Sequence, residues 1–329
     1  KMAKTTMKAL AAMDYGRPED LVMIESAIPS PGRGQIKVRI KAATINPTDL
    51  RVITGGYKDM LPVSFPYVLG NDFAGTVTQI GEDVSGYKVG DEVFGQALPR
   101  DLRAACSPTK PSVSTGSLAE YAVFEADTPL IAHRPDTVPV ETAAALAISG
   151  MTARALMKIA QMDAGTSALI IGATGGSGTS LVSLLAHQGI RVTATAGSPE
   201  KAEMLLRLGA VATVGHDPAD YPKDMDAVFN MALFEDRIWN AAASLRTRGK
   251  LLSIMHPAAT AADLGRDDVE YHFMLDMDGV YGGMPDVAEA ASKGELTVEI
   301  GEVFPFNQAV DAVVAYAREK LPGKIVVTF

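Results

Sequence analysis

The middle of the chain alternates short apolar runs with segments of helical periodicity. An apolar run at Ala168–Ile171 ends in a cluster of glycines, and a helical pattern follows over Thr179–Ala186. The same alternation predicts further strands over Ile190–Ala196, Asp226–Asn230 and Lys250–Ile254. A helix is expected from about Glu235 to Leu245. Strand and helix in alternation predict a doubly wound parallel sheet of the Rossmann type.

The N-terminal part follows a different pattern, with apolar and polar residues alternating at a period of two. Short strands are predicted over Ile36–Ala42 and Phe73–Ile80 and around Gly90–Gly95, with turn residues between them. Such short, regularly spaced strands suggest a small β-barrel. At the other end, an amphipathic helix over Asn307–Glu319 precedes a strand over Lys324–Phe329, which we expect to pair back into the first domain.

These patterns divide the chain into two domains. We predict a β-barrel domain of residues 1–130 with 296–329, and a nucleotide-binding domain of residues 131–295. An alanine-rich helix is expected from Glu141 to Ala160, interrupted around Ser149-Gly150. Ala97–Gly116, which is rich in Pro, Ser and Thr, has the length of a functional or mobile loop. His256–Asp278 shows no assignable pattern.

The glycine cluster between strand and helix carries the first functional signal. A strand, a glycine turn and a helix form the context in which a dinucleotide pyrophosphate is bound at the start of the helix. The predicted cofactor-binding residues of this turn are Ala173, Thr174, Gly175, Gly176, Ser177 and Gly178. Ala173 stands where the usual fingerprint has its first glycine. A purely structural glycine turn is the alternative interpretation.

The end of the second strand indicates which nucleotide is bound. NAD enzymes place an acidic residue there, which binds the ribose hydroxyls. Here Ala196 occupies that region, followed closely by Ser198 and Lys201, which we assign to the 2′-phosphate of NADPH. Alternatively, Lys201 is only a solvated helix residue, and Glu200 beside it weakens the positive field.

Composition and charge exclude several classes of function. The chain has 329 residues, of which 47% are hydrophobic and 21% charged, with a net charge of −9. An acidic chain argues against nucleic acid or an anionic membrane as a partner. No uninterrupted apolar run reaches the length of a membrane span. With Cys106 as the single cysteine, no intrachain disulfide is possible, so we expect a cytoplasmic protein.

Several short motifs together resemble the medium-chain dehydrogenase/reductase superfamily, in its zinc-free quinone oxidoreductase and enoyl reductase branch. The matching stretches are Ile45–Asp49, Gly55–Tyr57, Leu69–Gly75, Gly116–Tyr121, Gly150–Ala153, the glycine turn, Leu208–Ala210 and Gly323–Val326. The resemblance implies a GroES-like barrel domain with a Rossmann domain, NADPH as cofactor, a small-molecule substrate and a homodimer. Asp72 departs from the glutamate usual in this family.

The zinc ligands of related alcohol dehydrogenases are missing from the pattern. Asn46 and Asn71 stand at the positions that resemble the cysteine and histidine ligands of those enzymes. One cysteine cannot make a four-cysteine structural site, and the five histidines are scattered singly. We therefore expect no metal.

The predicted site combines two candidate catalytic residues with three further cofactor contacts. Tyr57 is the candidate donor to the developing oxyanion, and the alternative is a tyrosine that packs at the barrel mouth. Asn46 either binds the nicotinamide ribose or substrate, or only forms a turn before Pro47. Thr152, Asn230 and Lys324 are predicted to contact the cofactor, although Lys324 could equally be a surface residue.

The predicted function is NADPH-dependent reduction of activated C=C bonds or of quinones by hydride transfer, without zinc. An alternative is an enoyl-thioester reductase of fatty-acid or polyketide synthesis, with Arg100, Arg103 and Lys110 as candidate phosphate contacts. A protein of another class, which binds NADPH without catalysis, is the third possibility. The sequence does not name the substrate, the pathway or the proton donor.

Overall fold

The computed structural model describes residues 2–60, 62–99, 113–114 and 116–329. The N-terminal strands form as the sequence predicted. Their apolar alternation supplies one buried face. Up to residue 133 the elements are β1 (Thr6–Ala12), β2 (Val22–Ala27), β3 (Gln35–Thr44), α1 (Pro47–Ile53), β4 (Tyr67–Val68), β5 (Asp72–Ile80), β6 (Glu92–Gln96), β7 (Leu98–Pro99), β8 (Val113–Ser114), β9 (Tyr121–Glu125) and β10 (Ile131–His133).

The second half begins with a long helix and then alternates strands and helices. The elements are α2 (Val140–Ala160), β11 (Ser167–Ile171), α3 (Gly176–His187), β12 (Arg191–Thr195), α4 (Pro199–Arg207), β13 (Ala212–Val214), β14 (Met225–Asn230), α5 (Trp239–Ala242), β15 (Leu245–Ser253), β16 (Glu270–Phe273), α6 (Gly283–Ser292), β17 (Ile300–Pro305), α7 (Ala309–Arg318) and β18 (Lys324–Thr328). Short 3₁₀ turns lie at Pro18–Asp20, Pro218–Asp220, Ala261–Leu264 and Phe306–Gln308.

The chain forms two compact units. The antiparallel unit contains Lys1–Ile148, Met277–Ser292 and Ile300–Phe329, and the parallel unit contains Ser149–Asp276 and Lys293–Glu299. These boundaries differ from the predicted ones, because β10 pairs with β6 and α6 packs on β10. The Met284 N–H donates to the Pro129 carbonyl at 2.7 Å, which anchors α6 next to that strand.

The antiparallel unit is built on a seven-stranded sheet in the order β10-β6-β5-β3-β18-β17, with β9 also paired to β3. A three-stranded sheet in the order β2-β1-β4 and a two-stranded sheet of β7 and β8 complete this unit. The last strand pairs with β3 through Val326 opposite Thr44, so the C-terminal strand does return to the first domain. In its core, Phe73 stacks on Phe124 with ring centroids 4.0 Å apart.

The parallel unit has six parallel strands in the order β13-β12-β11-β14-β15-β16. This is the doubly wound order in which dinucleotides bind, as the alternating pattern predicted. Strand β16 was not predicted, because it lies within the segment 256–278 where no pattern was assignable. Its side chains at Glu270 to Phe273 are exposed or half-buried, as an edge strand allows.

Two predicted helices differ from those observed. α2 runs without interruption through Ser149 and Gly150, since its small side chains are largely buried. α5 covers only Trp239–Ala242 instead of Glu235–Leu245. The Arg266 guanidinium accounts for part of this difference, because it donates to the carbonyls of Ala242 and Leu245 at 2.9 and 2.7 Å, and Leu245 already begins β15.

Helix α2 bears on the expectation about membrane-length segments. Within the described residues it is the one helix long and apolar enough to cross a membrane by length and composition, and 67% of its apolar window is buried inside the protein. A core helix meets the same criterion. The predicted loop Ala97–Gly116, with Cys106, Arg100, Arg103 and Lys110, lies mostly outside the described residues.

Candidate active site

The parallel unit brings the glycine turn and Asn230 to one edge of its sheet. The strand order reverses between β11 and β14, which are neighbours with Ile171 opposite Asn230. In doubly wound sheets the ligand binds at the carboxyl ends of the strands at this reversal. The Met231 N–H donates to the Ile171 carbonyl at 2.8 Å, so the segments that leave both strands start side by side.

The turn after β11 is held in place by contacts from its neighbours. The Gly172 N–H donates to Thr195 Oγ1 of β12 at 3.1 Å. Ala173 is fully buried beneath the first turn of α3. Gly178 lies so close to this turn that a Cβ there would come within 2.6 Å of backbone atoms of Ala173 and Gly172. Only glycine permits this approach, which brings the start of α3 against the strand end.

Gly175 faces open space, in contrast to Gly178. A Cβ built on it has no heavy atom within 4 Å, so the protein itself does not require a glycine there. Thr174, Gly176 and Ser177 flank it, half-buried, where α3 begins with N–H groups that have no partner within the helix. This open, donor-lined turn is suited to the pyrophosphate of a dinucleotide, so the residues present fit such a cofactor.

The end of β12 carries the residues predicted to select the nucleotide. Ser198 caps α4, and its hydroxyl accepts from the Lys201 N–H at 3.3 Å. Lys201 is half-buried in the first turn of that helix. His216, which sequence reasoning left aside, is a neighbour: a Cβ on Gly197 would lie 3.0 Å from its Nε2. Only its position after β13 could have indicated this proximity.

Asn230 and Thr152 were both predicted to contact the cofactor, and the side chain of Asn230 already has hydrogen-bond partners within the protein. The Asn230 amide donates to the Leu233 carbonyl at 2.8 Å and to Ser253 Oγ at 3.1 Å. Its oxygen accepts from the N–H groups of Ala232 and Leu233. Asn230 therefore shapes the turn after β14. Thr152 is half-buried on α2.

The antiparallel unit contains a buried polar cluster, formed by Thr44, Asn46, Asp49, Asp72 and Lys324. Asn46 Nδ2 donates to Asp72 Oδ2 at 2.8 Å, and the Lys324 ammonium donates to Asn46 Oδ1. Asp72 also accepts from the N–H of Thr44 at 2.6 Å and from its hydroxyl. Lys324 is 7% exposed, which excludes a surface lysine. The cluster fixes the Asn46 amide on both sides.

Asp49 adds a second carboxyl to the cluster. It accepts from the N–H groups of Asn46 and Gly70 at 2.9 and 3.0 Å. Burial, and then the charge of Asp72, raises the pKa of Asp49 to about 7, in spite of these hydrogen bonds. Burial also lowers the pKa of Lys324. Burial and the Asp49 charge raise the pKa of Tyr316 on α7 to about 12.

Tyr57 lies outside this hydrogen-bonded cluster. It is half-buried after α1 and packs against the core of the antiparallel unit. Its hydroxyl oxygen accepts from the Arg51 guanidinium at 3.1 Å, and that guanidinium lies 5.8 Å from the centre of its ring. Accepting from Arg51 leaves the hydroxyl proton available to another acceptor.

The structure thus brings Asn46 and Lys324 together, although 278 positions separate them in the chain. Asp49, Thr44 and Arg51 were missed. For Asp49 a signal existed, because an acid three residues after an N-cap commonly binds the cap N–H. Within the described ranges, no group of three or more His, Cys, Asp or Glu side chains is placed to hold a metal ion.

Comparisons with known proteins identify a dehydrogenase domain in each part of the chain. The profile of the alcohol dehydrogenase GroES-like domain matches residues 32–136, and that of zinc-binding dehydrogenase matches residues 208–327, together about two thirds of the chain. A mouse quinone oxidoreductase is 33% identical over 217 residues, which cover 65% of this chain and 60% of that protein. The chain thus matches about three fifths of the length of this relative.

Two further comparisons cover nearly the whole chain. A chloroplastic NADPH-dependent alkenal/one oxidoreductase of Arabidopsis thaliana is 27% identical over 98% of this chain and 79% of its own. A quinone oxidoreductase structure from Coxiella burnetii superposes with a TM-score of 0.85 at 24% identity, and covers 98% of this chain and 99% of its own. With both domain profiles in one chain and this fold, the protein belongs to the medium-chain dehydrogenase/reductase superfamily, in its quinone oxidoreductase branch.

Proposed function

We propose that this protein is an NADPH-dependent reductase of quinones and of C=C bonds conjugated to a carbonyl, and that it works without zinc. The observation that carries the proposal is the open turn at Gly175, which lies at the strand-order reversal of the parallel unit. The names of the relatives, a quinone oxidoreductase and an alkenal/one oxidoreductase, support the same class of reaction.

The proposed cofactor site uses the residues of the parallel unit. The N–H groups at Thr174–Gly178 would hold the pyrophosphate, and Ser198 and Lys201 would bind the 2′-phosphate. Position 196, where NAD enzymes carry an acidic residue, is an alanine, so no carboxylate there repels that phosphate. When bound, NADPH supplies a hydride to the electron-poor carbon.

The antiparallel unit supplies the polar groups of the proposed chemistry. Reduction of a conjugated carbonyl develops negative charge on its oxygen, which a hydrogen-bond donor stabilises. Tyr57 has a hydroxyl proton that Arg51 does not use, since Arg51 is itself the donor in their hydrogen bond. Asn46 is held by Lys324 and Asp72, so any contact that it makes with cofactor or substrate is made by a fixed amide.

A substrate screen tests this function directly. NADPH oxidation is followed with quinones, alkenals, enones and enoyl thioesters, with NADH as the cofactor control. Turnover of quinones or enones with NADPH is the expected result. Turnover confined to enoyl thioesters would indicate the fatty-acid or polyketide alternative. Binding of NADPH without turnover of any substrate would favour a non-catalytic protein.

The Tyr57→Phe variant tests the proposed donor. Removal of the hydroxyl keeps most of the ring packing, so NADPH affinity should stay nearly unchanged. Because the interaction is made mainly in the transition state, kcat and kcat/KM on enones should fall together by about 10- to 1,000-fold. Quinones accept hydride more readily, so their loss should be smaller. Undiminished turnover of the best enone would reduce Tyr57 to a packing residue.

Metal independence, a homodimer and a cytoplasmic location belong to the same proposal. Turnover should survive exhaustive chelation, and elemental analysis should find no stoichiometric zinc. A stoichiometric zinc ion whose removal abolishes turnover would contradict metal independence. Light scattering of the purified protein in solution should give twice the mass of the 34.6 kDa chain, and a mass of one chain would contradict the homodimer.

A further inference from the structure

Arg51 carries a charge that the antiparallel unit leaves without a counterion. Its guanidinium donates to the Tyr57 hydroxyl at 3.1 Å, and it forms no ion pair with a carboxylate among the described residues. Arg134 and Arg266 are also half-buried, and each of them pairs with a carboxylate, at 3.3 and 2.7 Å. Because a cation that is partly removed from water is usually paired, the remaining N–H groups of Arg51 point to an anionic ligand.

Two tyrosines lie near this guanidinium, and with Arg51 they form what we call the Arg51 site. The ring of Tyr57 has its centre 5.8 Å from the guanidinium carbon. On α7, burial and the charge of Asp49 raise the pKa of Tyr316, and the charge of Arg51 opposes this rise. All three residues of the site are half-buried, so part of each side chain is open to solvent and within reach of a small molecule.

The acids close to Arg51 in the chain do not neutralise it. Asp49 precedes it on α1, and both carboxyl oxygens of Asp49 already accept from backbone N–H groups. Burial raises the pKa of Asp49 to about 7, so this carboxyl is only partly ionised at neutral pH. Asp59 is exposed, and the equally exposed Lys58 next to it balances its charge. The Arg51 site therefore keeps a positive charge.

A carboxylate that stands next to a ketone fits the donors of this site. Guanidinium and carboxylate are both planar and form two parallel hydrogen bonds. In the proposed reaction the Tyr57 hydroxyl donates to the carbonyl oxygen of the substrate. Since Tyr57 and Arg51 are themselves in hydrogen-bond contact, one ligand reaches both donors when its carbonyl and carboxylate lie on adjacent carbons. That arrangement is an α-keto acid.

We propose that the protein reduces unsaturated α-keto acids, with Arg51 binding the carboxylate and Tyr57 the conjugated ketone oxygen. The inference rests on the proposed reductase function and adds a substrate class to it. The carbon of the C=C bond farther from the ketone accepts a hydride from NADPH, and the electron pair of that bond moves onto the ketone oxygen. The nearer carbon then takes up a proton from water. The products are the saturated α-keto acid and NADP⁺.

Benzylidenepyruvate and its methyl ester test this proposal, since they share the conjugated ketone and differ in the charge beside it. The wild-type protein should reduce both compounds with NADPH. Arg51→Met should lower kcat/KM for the acid by about 30- to 1,000-fold, because a charge-assisted, two-bonded pair is lost. The ester should lose less than about 5-fold, the effect of one neutral hydrogen bond to Tyr57. Arg51→Lys keeps the charge without the planar fork, so it should recover part of the loss on the acid.

Arg39→Met is the matched control, because Arg39 is an exposed arginine on β3 of the same unit and its replacement changes the net charge equally. It should leave kcat/KM unchanged for both compounds. The ratio of the two kcat/KM values does not depend on how much of a variant is folded, so a less stable variant still gives a result. If Arg51→Met yields no folded protein, Arg51→Lys carries the test, with a loss confined to the acid.

Two kinds of result would overturn the proposal. Equal losses for acid and ester would show that Arg51 only stabilises the last turn of α1, where a cation favours the helix, and turnover of the ester would leave the proposed reductase function intact. A wild-type protein that reduces the ester and not the acid would exclude α-keto acids in the same way. Failure of the wild-type protein to reduce either compound, or any quinone or enone of the substrate screen, would overturn the proposed function together with this inference.

Discussion

The two polar regions of this molecule are built in opposite ways. In the parallel unit, the turn from Gly172 to Gly178 is neutral and formed from backbone groups, with open space at Gly175. In the antiparallel unit, the cluster around Asp72 is charged, made of side chains and closed to solvent. The first region offers hydrogen bonds to a ligand, whereas the second uses nearly all of its hydrogen bonds internally.

This difference separates ligand binding from stability. Substitutions in the open turn should weaken cofactor binding with little effect on folding, because few protein contacts depend on that surface. Substitutions in the closed cluster should mainly change the free energy of unfolding, because each partner there keeps another buried charge satisfied. Gly178 lies in the turn but is closely packed, so a substitution there should affect both cofactor binding and the free energy of unfolding.

The largest effect is expected from Lys324→Met in the closed cluster. It leaves Asp49 and Asp72 buried without their cation, which should lower the free energy of unfolding by about 3–5 kcal/mol. Denaturant unfolding measures the change, with exposed Lys320→Met as the control, expected within about 0.5 kcal/mol of the wild type. A loss below 1 kcal/mol for Lys324→Met would show that the lysine does not balance these acids.

The next largest effect is a pH dependence from Asp49. Its pKa of about 7 in the folded protein lies above the ordinary value near 4, so folding favours the protonated form. Its contribution is fully present below pH 4 and is lost as the pH rises to about 7, by up to about 4 kcal/mol. Wild-type stability should therefore fall between pH 5 and pH 8.

Asp49→Asn should reduce this slope but not abolish it, because burial also raises the pKa of Asp72 in the same cluster. The variant also lowers stability at every pH. The reason is that its amide can accept from only one of the two N–H groups that Asp49 now binds. The acids whose pKa is lowered by partners, such as Asp226, complete their titration below this range. Equal slopes for wild type and variant between pH 5 and pH 8 would contradict the assignment to Asp49.

The same contrast explains what the sequence could predict. The parallel sheet, its turn and the return of β18 followed from local patterns, because glycine spacing and apolar periodicity act over a few residues. The closed cluster joins residues from β3, α1, β5 and β18, and no local pattern encodes contacts of Lys324 with Asn46. Lys324 was therefore ambiguous between a cofactor ligand and a surface residue, and the pattern around Asp49 did not indicate its place in the cluster.

The errors in the fold have a similar origin. The predicted helix from Glu235 to Leu245 was shortened by Arg266, which lies more than twenty positions from the carbonyls that it binds. The compact units differ from the predicted domains because α6, late in the chain, packs beside Pro129. In each case a tertiary contact outweighed a local preference.

A pair of glycine substitutions tests the open turn. Gly178→Ala places a Cβ within 2.6 Å of backbone atoms and should lower the free energy of unfolding by about 1–3 kcal/mol, with loss of NADPH binding. Gly175→Ala meets no protein atom within 4 Å and should keep wild-type stability while it weakens NADPH binding. Wild-type NADPH affinity in Gly175→Ala would show that the pyrophosphate does not bind there.

The smallest effect is expected at Lys201, the one cationic side chain assigned to the open region. Lys201→Ala should weaken NADPH binding by about 1–2 kcal/mol, the scale of one charge-assisted hydrogen bond, since the ammonium is lost from the 2′-phosphate. NADH lacks this phosphate, so its affinity should hardly change, and NADH titration of the same variant is the internal control. An equal loss for both nucleotides would show that Lys201 does not act through the 2′-phosphate.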